Sequence, residues 1–84
     1  MSDNRYTVQS PLMGTFYRSS DPDGAPLVEV GQCVAASQVV CIIESMKIFT
    51  ELRVEKGGTV RKILVENEDA VMKNQALIEI EVDA

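Results

Sequence analysis

Short runs of branched aliphatic residues recur along this 84-residue chain, separated by clusters of turn-forming residues. Tyr6 to Gln9 reads as a strand that Ser10-Pro11 ends, and Gly14 to Tyr17 reads as a second. Ser19-Ser20-Asp21-Pro22-Asp23-Gly24-Ala25-Pro26 is a loop by every breaker signal: prolines, a glycine, aspartates and serines fill it. Leu27 to Val34 is turn-rich around Gly31, with a short strand near its end. Val39 to Glu44 and Ile48 to Val54 then form the two arms of a hairpin. On the second arm Ile48, Thr50, Leu52 and Val54 alternate with Glu51 and Arg53, which predicts one wet face. Phe49 falls on the outward phase. Glu55 to Gly58 is a turn, Thr59 to Val65 a strand, Glu66 to Asp69 a turn, and Ala76 to Val82 a last strand. Only Ala70 to Gln75 reads as a helical turn. The polar residues 1–5 read as a loose N-terminal tail. Many short strands at near-even spacing predict a small all-β sandwich or barrel.

An internal repeat sharpens that prediction. With Val28 set against Val65, an ungapped register at an offset of 37 pairs Glu29 with Glu66, Val34 with Val71 and Gln38 with Gln75. The same register pairs Val40 with Leu77, Ile43 with Ile80 and Glu44 with Glu81. Upstream, Gly14-Thr15 matches Gly58-Thr59 at an offset of 44, so the first half carries seven extra residues, placed in the Pro/Asp/Gly loop. Duplicated halves of this kind predict two sheets related by a pseudo-two-fold axis. Glu44 leads into the central hairpin, whereas Glu81 leads out to the C-terminus, and Thr50 corresponds to Tyr6. The termini are therefore expected to lie together, at the end of the domain opposite Lys47.

Composition narrows the class. The length fits one domain, and 45% hydrophobic residues give it a core to bury. Val and Ile carry the apolar load, aromatics are few and Trp is absent, a mix that favours strands. A net charge of -5 argues against nucleic acid and against anionic membrane surfaces. No apolar run approaches the length of a membrane span and no signal-peptide pattern opens the chain, so a soluble, unexported protein is expected. Two cysteines without His or a CxxC pattern make neither a disulfide scaffold nor a zinc site. Cys33 and Cys41 sit among valines and isoleucines and read as buried reduced thiols, with a Cys33–Cys41 disulfide as the alternative.

The candidate chemistry lies in Glu44-Ser45-Met46-Lys47, which joins the hairpin arms. A tight hairpin loop favours Asn-Gly, Asp-Gly or another Gly at positive φ, and this one has no Gly and no Asn. Such a departure points to a second constraint on the residues, and the reachable amine of Lys47 is the obvious one. The ordinary reading is a lysine that solvates a turn. No catalytic constellation competes with it: His, the usual acid/base group, is absent. Asp21, Asp23, Glu66, Glu68 and Asp69 fall in turns and read as a solvated face. Ser10, Ser19, Ser20, Ser37 and Ser45 have no base in view, and neither a Gly-x-Ser-x-Gly elbow nor a phosphate-cradling Gly loop occurs. No catalytic and no metal-ligating residues are therefore assigned. A module that carries a group on its lysine fits better than an enzyme acting alone.

Glu44-Ser45-Met46-Lys47 resembles the biotin attachment motif Glu-Ala/Ser-Met-Lys-Met, with Lys47 at the modified position. Ser10-Pro11-Leu12-Met13-Gly14-Thr15-Phe16-Tyr17-Arg18 and Val28-Glu29-Val30-Gly31-Gln32 resemble flanking segments of the biotin carboxyl carrier family of bacterial and plastid acetyl-CoA carboxylases. The resemblance runs from about Thr7 to Val82. It implies a flattened β-barrel, or barrel-sandwich hybrid, of two four-stranded antiparallel sheets with pseudo-two-fold symmetry, built from residues 1–84 as a single biotinyl domain. Residues 19–26 resemble the family's thumb, an insertion that lipoyl domains and most other biotin domains lack. Ile48 stands where the family usually has Met, and its bulk and hydrophobicity are expected to preserve modification. Members also begin with a further N-terminal region and a Pro/Ala-rich linker, so a domain cut from a longer carrier, or a short relative, is expected.

By that resemblance, biotin is the covalent cofactor, attached to Lys47 as an amide by a biotin protein ligase. The arm then swings between a biotin carboxylase and a carboxyltransferase in fatty acid biosynthesis, in the cytoplasm or the plastid stroma. The chemistry belongs to the cofactor and the enzymes, while the domain supplies tether and recognition. Glu44, Ser45, Met46 and Ile48 are the expected recognition residues around Lys47, with Phe49 nearby. Ser19 and Ser20 are the expected thumb hydroxyls for the ureido ring. The alternatives are a lipoyl carrier of a 2-oxo acid dehydrogenase complex, whose tip typically reads Asp-Lys-Ala, or an unmodified barrel acting in assembly.

Overall fold

The computed structural model describes residues 4–21 and 24–82. Pro22 and Asp23 of the expected loop, and the first three residues of the expected loose tail, lie outside the described residues. Among the described residues eight strands make up the fold: β1 (Arg5–Gln9), β2 (Gly14–Tyr17), β3 (Cys33–Val34) and β4 (Val39–Ser45) in the first half. The second half contributes β5 (Ile48–Arg53), β6 (Gly58–Ile63), β7 (Ala70–Val71) and β8 (Ala76–Val82). They form two four-stranded antiparallel sheets, ordered β1-β8-β6-β3 (sheet one) and β5-β4-β2-β7 (sheet two).

The duplication expected from sequence is written into the hydrogen bonds. Substituting β1 for β5, β8 for β4, β6 for β2 and β3 for β7 turns one sheet order into the other. Ile43 pairs with Thr50 as Ile80 pairs with Tyr6, and Phe16 pairs with Ile43 as Val60 pairs with Ile80. Even the irregularity recurs, since β4–β5 slips between Val39 and Cys41 where β1–β8 slips between Val8 and Gln9. Gln32 N–H donates to Glu29 O and Asp69 N–H to Glu66 O, both at 3.1 Å. Gly31 and Glu68 share a positive φ, as do Ser37 and Asn74.

Inward-facing residues of both sheets interdigitate. Val8, Val60, Leu77, Ile78 and Ile80 of sheet one meet Phe16, Val40, Cys41, Ile43 and Val71 of sheet two in one cluster. Fully burying side chains of this size stabilises a fold by roughly 1.5–3 kcal/mol each. Ser10, the buried polar residue among the described residues, stands where the repeat has Val54, and its hydroxyl donates to Leu12 O at 2.6 Å. Gly14 and Gly58 are also equivalent: a Cβ on either would run into a neighbouring carbonyl oxygen, of Glu44 and of Glu81 respectively.

Three expectations need correction. Ala70 to Gln75 is not a helical turn: Ala70 and Val71 form β7 against Thr15 and Gly14, and the turn after it closes through Gln75 N–H to Met72 O. A two-residue strand has no periodicity of its own, so only its partner reveals it. Of the two cysteines, Cys41 is buried but Cys33 is exposed, and both are free thiols rather than a disulfide. Finally, Ile48 lies on the inward phase yet is exposed, because its partner Ser45 is the last residue of β4 and the sheet ends there.

Candidate functional site

β4 and β5 are joined by two residues, Met46 and Lys47, with φ of 53° and 67°. Positive φ at both central positions is the type I′ hairpin geometry, which matches the twist of the flanking strands. For residues with a Cβ this region costs roughly 1–2 kcal/mol each, which explains the usual Asn-Gly. Here a side chain takes over part of the work: Glu44 Oε2 accepts a 2.9 Å hydrogen bond from the backbone N–H of Lys47. Ser45 pairs with Ile48 and Glu44 with Phe49 just below the turn.

The turn presents its side chains to solvent. Met46 is 90% exposed, Lys47 is exposed, and Ile48 and Phe49 are largely uncovered. Among the described residues Lys47 makes no ion pair, so its amine is held by nothing but its own chain. A primary amine on a rigid two-stranded stalk suits amide formation with a carboxylic acid cofactor. The donor chemistry fits biotin.

The far end of the stalk meets Tyr6 of β1. β5 runs from Ile48 at the tip to Arg53, and Glu55 N–H just beyond it donates to Tyr6 Oη at 3.1 Å. Tyr6 Oη in turn donates to Lys56 O. β1 and β8 lie side by side, with Val82 N–H donating to Asn4 O. Asn4 and Val82, the outermost described residues, therefore lie together at the end opposite Lys47, in keeping with the repeat.

Ser19 and Ser20 share a cleft whose lining does not include Lys47. They line a cleft of about 350 Å³ with Tyr17, Ile42, Phe49, Asn67 and Glu68, on the outer face of sheet two. The loop is pinched at its base by Leu27 N–H to Arg18 O at 2.7 Å, and Asn67 Oδ1 accepts from Arg18 N–H at 2.8 Å. Ser19 Oγ donates within the loop, to Asp21 O at 3.0 Å. Phe49 connects the two regions: it is one residue after Ile48, and its ring lies 6.3 Å from that of Tyr17 at a tilt of 46°. Such tilted pairs lie in the favourable range for aromatic contact.

Sequence reasoning had not singled out Tyr17, Ile42, Asn67 or Glu68. A signal was present, because Ile42 and Phe49 occupy repeat positions whose counterparts are the charged Glu79 and Arg5. Elsewhere, burial pushes the Cys41 thiol up to about 12. No group of three or more metal-ligating side chains occurs among the described residues, and no helix there is long and apolar enough to cross a membrane.

Comparison with known proteins matches this geometry. Residues 6–80 fit the biotin/lipoyl family model, described as biotin-requiring enzyme. The chain is 44% identical over 77 residues to the biotin carboxyl carrier protein of acetyl-CoA carboxylase from Pseudomonas aeruginosa, covering 92% of this chain and 49% of that one. The protein of the same name from Porphyra purpurea is 45% identical over 80 residues, covering 95% and 51%. The chain thus spans about half the length of these relatives. Among solved structures, the urea carboxylase of Kluyveromyces lactis superposes with a TM-score of 0.78 at 31% identity, over 95% of this chain and 6% of that one. On sequence and fold together, the chain belongs to the biotin/lipoyl domain family of biotin-requiring enzymes.

Proposed function

We propose that this chain is the biotin carrier domain of an acetyl-CoA carboxylase, with biotin joined to Lys47 Nζ as an amide. The observation that carries the reading is Lys47 itself: an exposed lysine, without an ion pair among the described residues, second in a strained two-residue turn at the end of the domain remote from Asn4 and Val82. The relatives named as biotin carboxyl carrier proteins support the same assignment. When attached, biotin carries a carboxyl group on its ureido nitrogen. The partners of that cycle are a biotin protein ligase, a biotin carboxylase and a carboxyltransferase, in a cytoplasm or plastid stroma.

The residues divide the work. Glu44 and Ser45 hold the stalk and its turn, while Met46 and Ile48 give the ligase apolar purchase on either side of the lysine. Attachment at the termini leaves the tip free to enter other proteins, and the tether raises the effective concentration of the arm to about the millimolar range. Ser19 and Ser20, in the cleft beside Phe49, offer hydroxyls to the ureido group between visits. The domain itself performs no bond-making step.

The test is intact mass after incubation with biotin ligase, ATP and biotin. A single biotinyl addition to the parent, absent from Lys47→Arg, is expected. No addition with biotin ligase, beside lipoyl addition with a lipoyl ligase, would transfer the domain to the 2-oxo acid dehydrogenases. Neither addition would leave an unmodified barrel.

A further inference from the structure

One turn occurs twice in this fold, with the same hydrogen bonds and a different residue at its centre. In the first half Gly31 N–H donates to Val60 O at 2.8 Å, and Gln32 O accepts from Val60 N–H at 2.9 Å. In the second half Glu68 N–H donates to Phe16 O at 2.6 Å, and Asp69 O accepts from Phe16 N–H at 2.8 Å. Gly31 has a φ of 91° and Glu68, its counterpart at the offset of 37, a φ of 72°. This left-handed region is open to glycine and unfavourable for a residue with a Cβ. Glutamate is the poorer choice for the backbone, and the repeat shows that glycine serves.

The side chain does not offset that strain within the fold. Among the described residues the Glu68 carboxylate makes no hydrogen bond and no ion pair, whereas its neighbour Asp69 accepts from Glu66 N–H at 2.8 Å. A strained residue without a structural partner points to a role in function. Glu68 lines the cleft of about 350 Å³ that Ser19 and Ser20 share with Tyr17 and Phe49, and it is the charged residue of that lining. Arg18, at the base of the loop, is not part of the lining, and its guanidinium donates to Val28 O at 3.2 Å. The cleft is also near the tip. Phe49 is two residues beyond Lys47, about 7 Å along an extended chain, and a lysine side chain lengthened by biotin's valeryl chain is longer than that.

We propose that Glu68 makes this cleft a rest site for the uncharged biotin arm alone, releasing the arm once its ureido group is carboxylated. The inference rests on the carrier reading above and adds how the domain senses the state of its arm. A carboxylate oxygen accepts a hydrogen bond from a ureido N–H, and such charge-assisted bonds are roughly twice as strong as neutral ones. Carboxylation replaces the hydrogen on one ureido nitrogen by a carboxylate, which removes a donor and brings a second negative charge into the cleft. Like charges about 4 Å apart at a wet surface shift an equilibrium by about fivefold. The empty arm therefore rests against the domain, and the loaded arm is free to leave.

Amide NMR shifts of Ser19, Ser20, Asn67 and Glu68 test this in the whole chain. The unmodified, biotinylated and carboxylated forms are compared, the last made with biotin carboxylase, ATP and labelled bicarbonate. Biotinylation is expected to shift these amides in the parent, and carboxylation to reduce that shift about fivefold. Glu68→Gln keeps the shape and removes the charge, so its carboxylated arm is expected to retain most of the shift. Glu68→Gly suits the turn as Gly31 does and is expected to raise Tm while weakening the shift on biotinylation. A parent chain that takes no biotin sinks the carrier reading itself. A biotinylated parent whose cleft amides stay in place, or move equally in the carboxylated form, overturns the role of Glu68 alone. So does a Glu68→Gln variant that matches the parent in both forms. A lower Tm for Glu68→Gly would assign the carboxylate to the fold and overturn it too.

Discussion

The carboxylate of Glu44 accepts a 2.9 Å hydrogen bond from the backbone N–H of Lys47, bridging the turn that carries the lysine. This bond substitutes a side-chain acceptor for the glycine that such a turn normally uses. Glu44→Ala is expected to loosen the tip and destabilise the domain by about 1 kcal/mol, the usual net worth of a hydrogen bond. Glu44→Gln keeps an acceptor oxygen and is expected to cost less. Backbone coupling constants of Met46 and Lys47 check the geometry directly. Unchanged positive φ in Glu44→Ala would show that the strands alone hold the turn.

Met46 has a φ of 53° and its side chain touches little, so its identity is costly to the turn. Met46→Asn supplies a residue suited to the first position of a type I′ loop. A gain of about 0.5–1 kcal/mol is expected, or a Tm rise of about 2–8 °C for a domain this size. Biotinylation is expected to slow in the same variant. A thermal melt beside a ligase assay reads both, and a slower, more stable variant would show that the methionine serves recognition at the expense of the turn.

Gly14→Ala is expected to push β2 away from β4 at Glu44, the strand residue that also bridges the lysine turn. Overpacking of this sort costs about 1–3 kcal/mol. Gly58→Ala meets Glu81 in the equivalent way and is expected to cost a similar amount. The two differ in where the damage appears. Amide exchange should quicken in the Lys47 hairpin for the first variant and at the β1–β8 pair for the second.

Cys41 contributes a pH dependence with a definite sign. Its thiol moves from 9.0 to about 12 through desolvation by burial. Above pH 9 the unfolded chain loses this proton while the folded one keeps it, so stability declines as pH rises from about 9 towards 12, with a limiting slope of about 1.4 kcal/mol per pH unit. Cys41→Val should remove that part of the decline in denaturant titrations. At pH 8 the exposed Cys33 should take up an alkylating reagent promptly, while Cys41 should react only on unfolding.

Much of this domain is legible in the chain itself because its signals are local or periodic. Alternation along Ile48 to Val54 and the punctuation by Gly, Pro and Asp reflect the strand's own geometry, so the strands could be placed within a few residues. The missing Gly in Glu44-Ser45-Met46-Lys47 drew attention to the proposed attachment tip, and the ungapped offset of 37 foretold both the paired sheets and the closeness of Asn4 to Val82. What acts over long separations could not be read this way. Ala70-Val71 becomes a strand only because Gly14 and Thr15 lie alongside it, 55 or more residues earlier in the chain. Cys33 and Cys41 have similar neighbours in sequence, yet one strand is central and the other an edge, and that position alone buries Cys41. The cleft that joins Ser19 and Ser20 to Phe49 exists because β2 and β5 flank β4 in one sheet, so that two aromatic rings meet over Ile42. Periodicity states which face of a strand a residue occupies; the pairing of strands, decided by the whole core at once, states what that face meets.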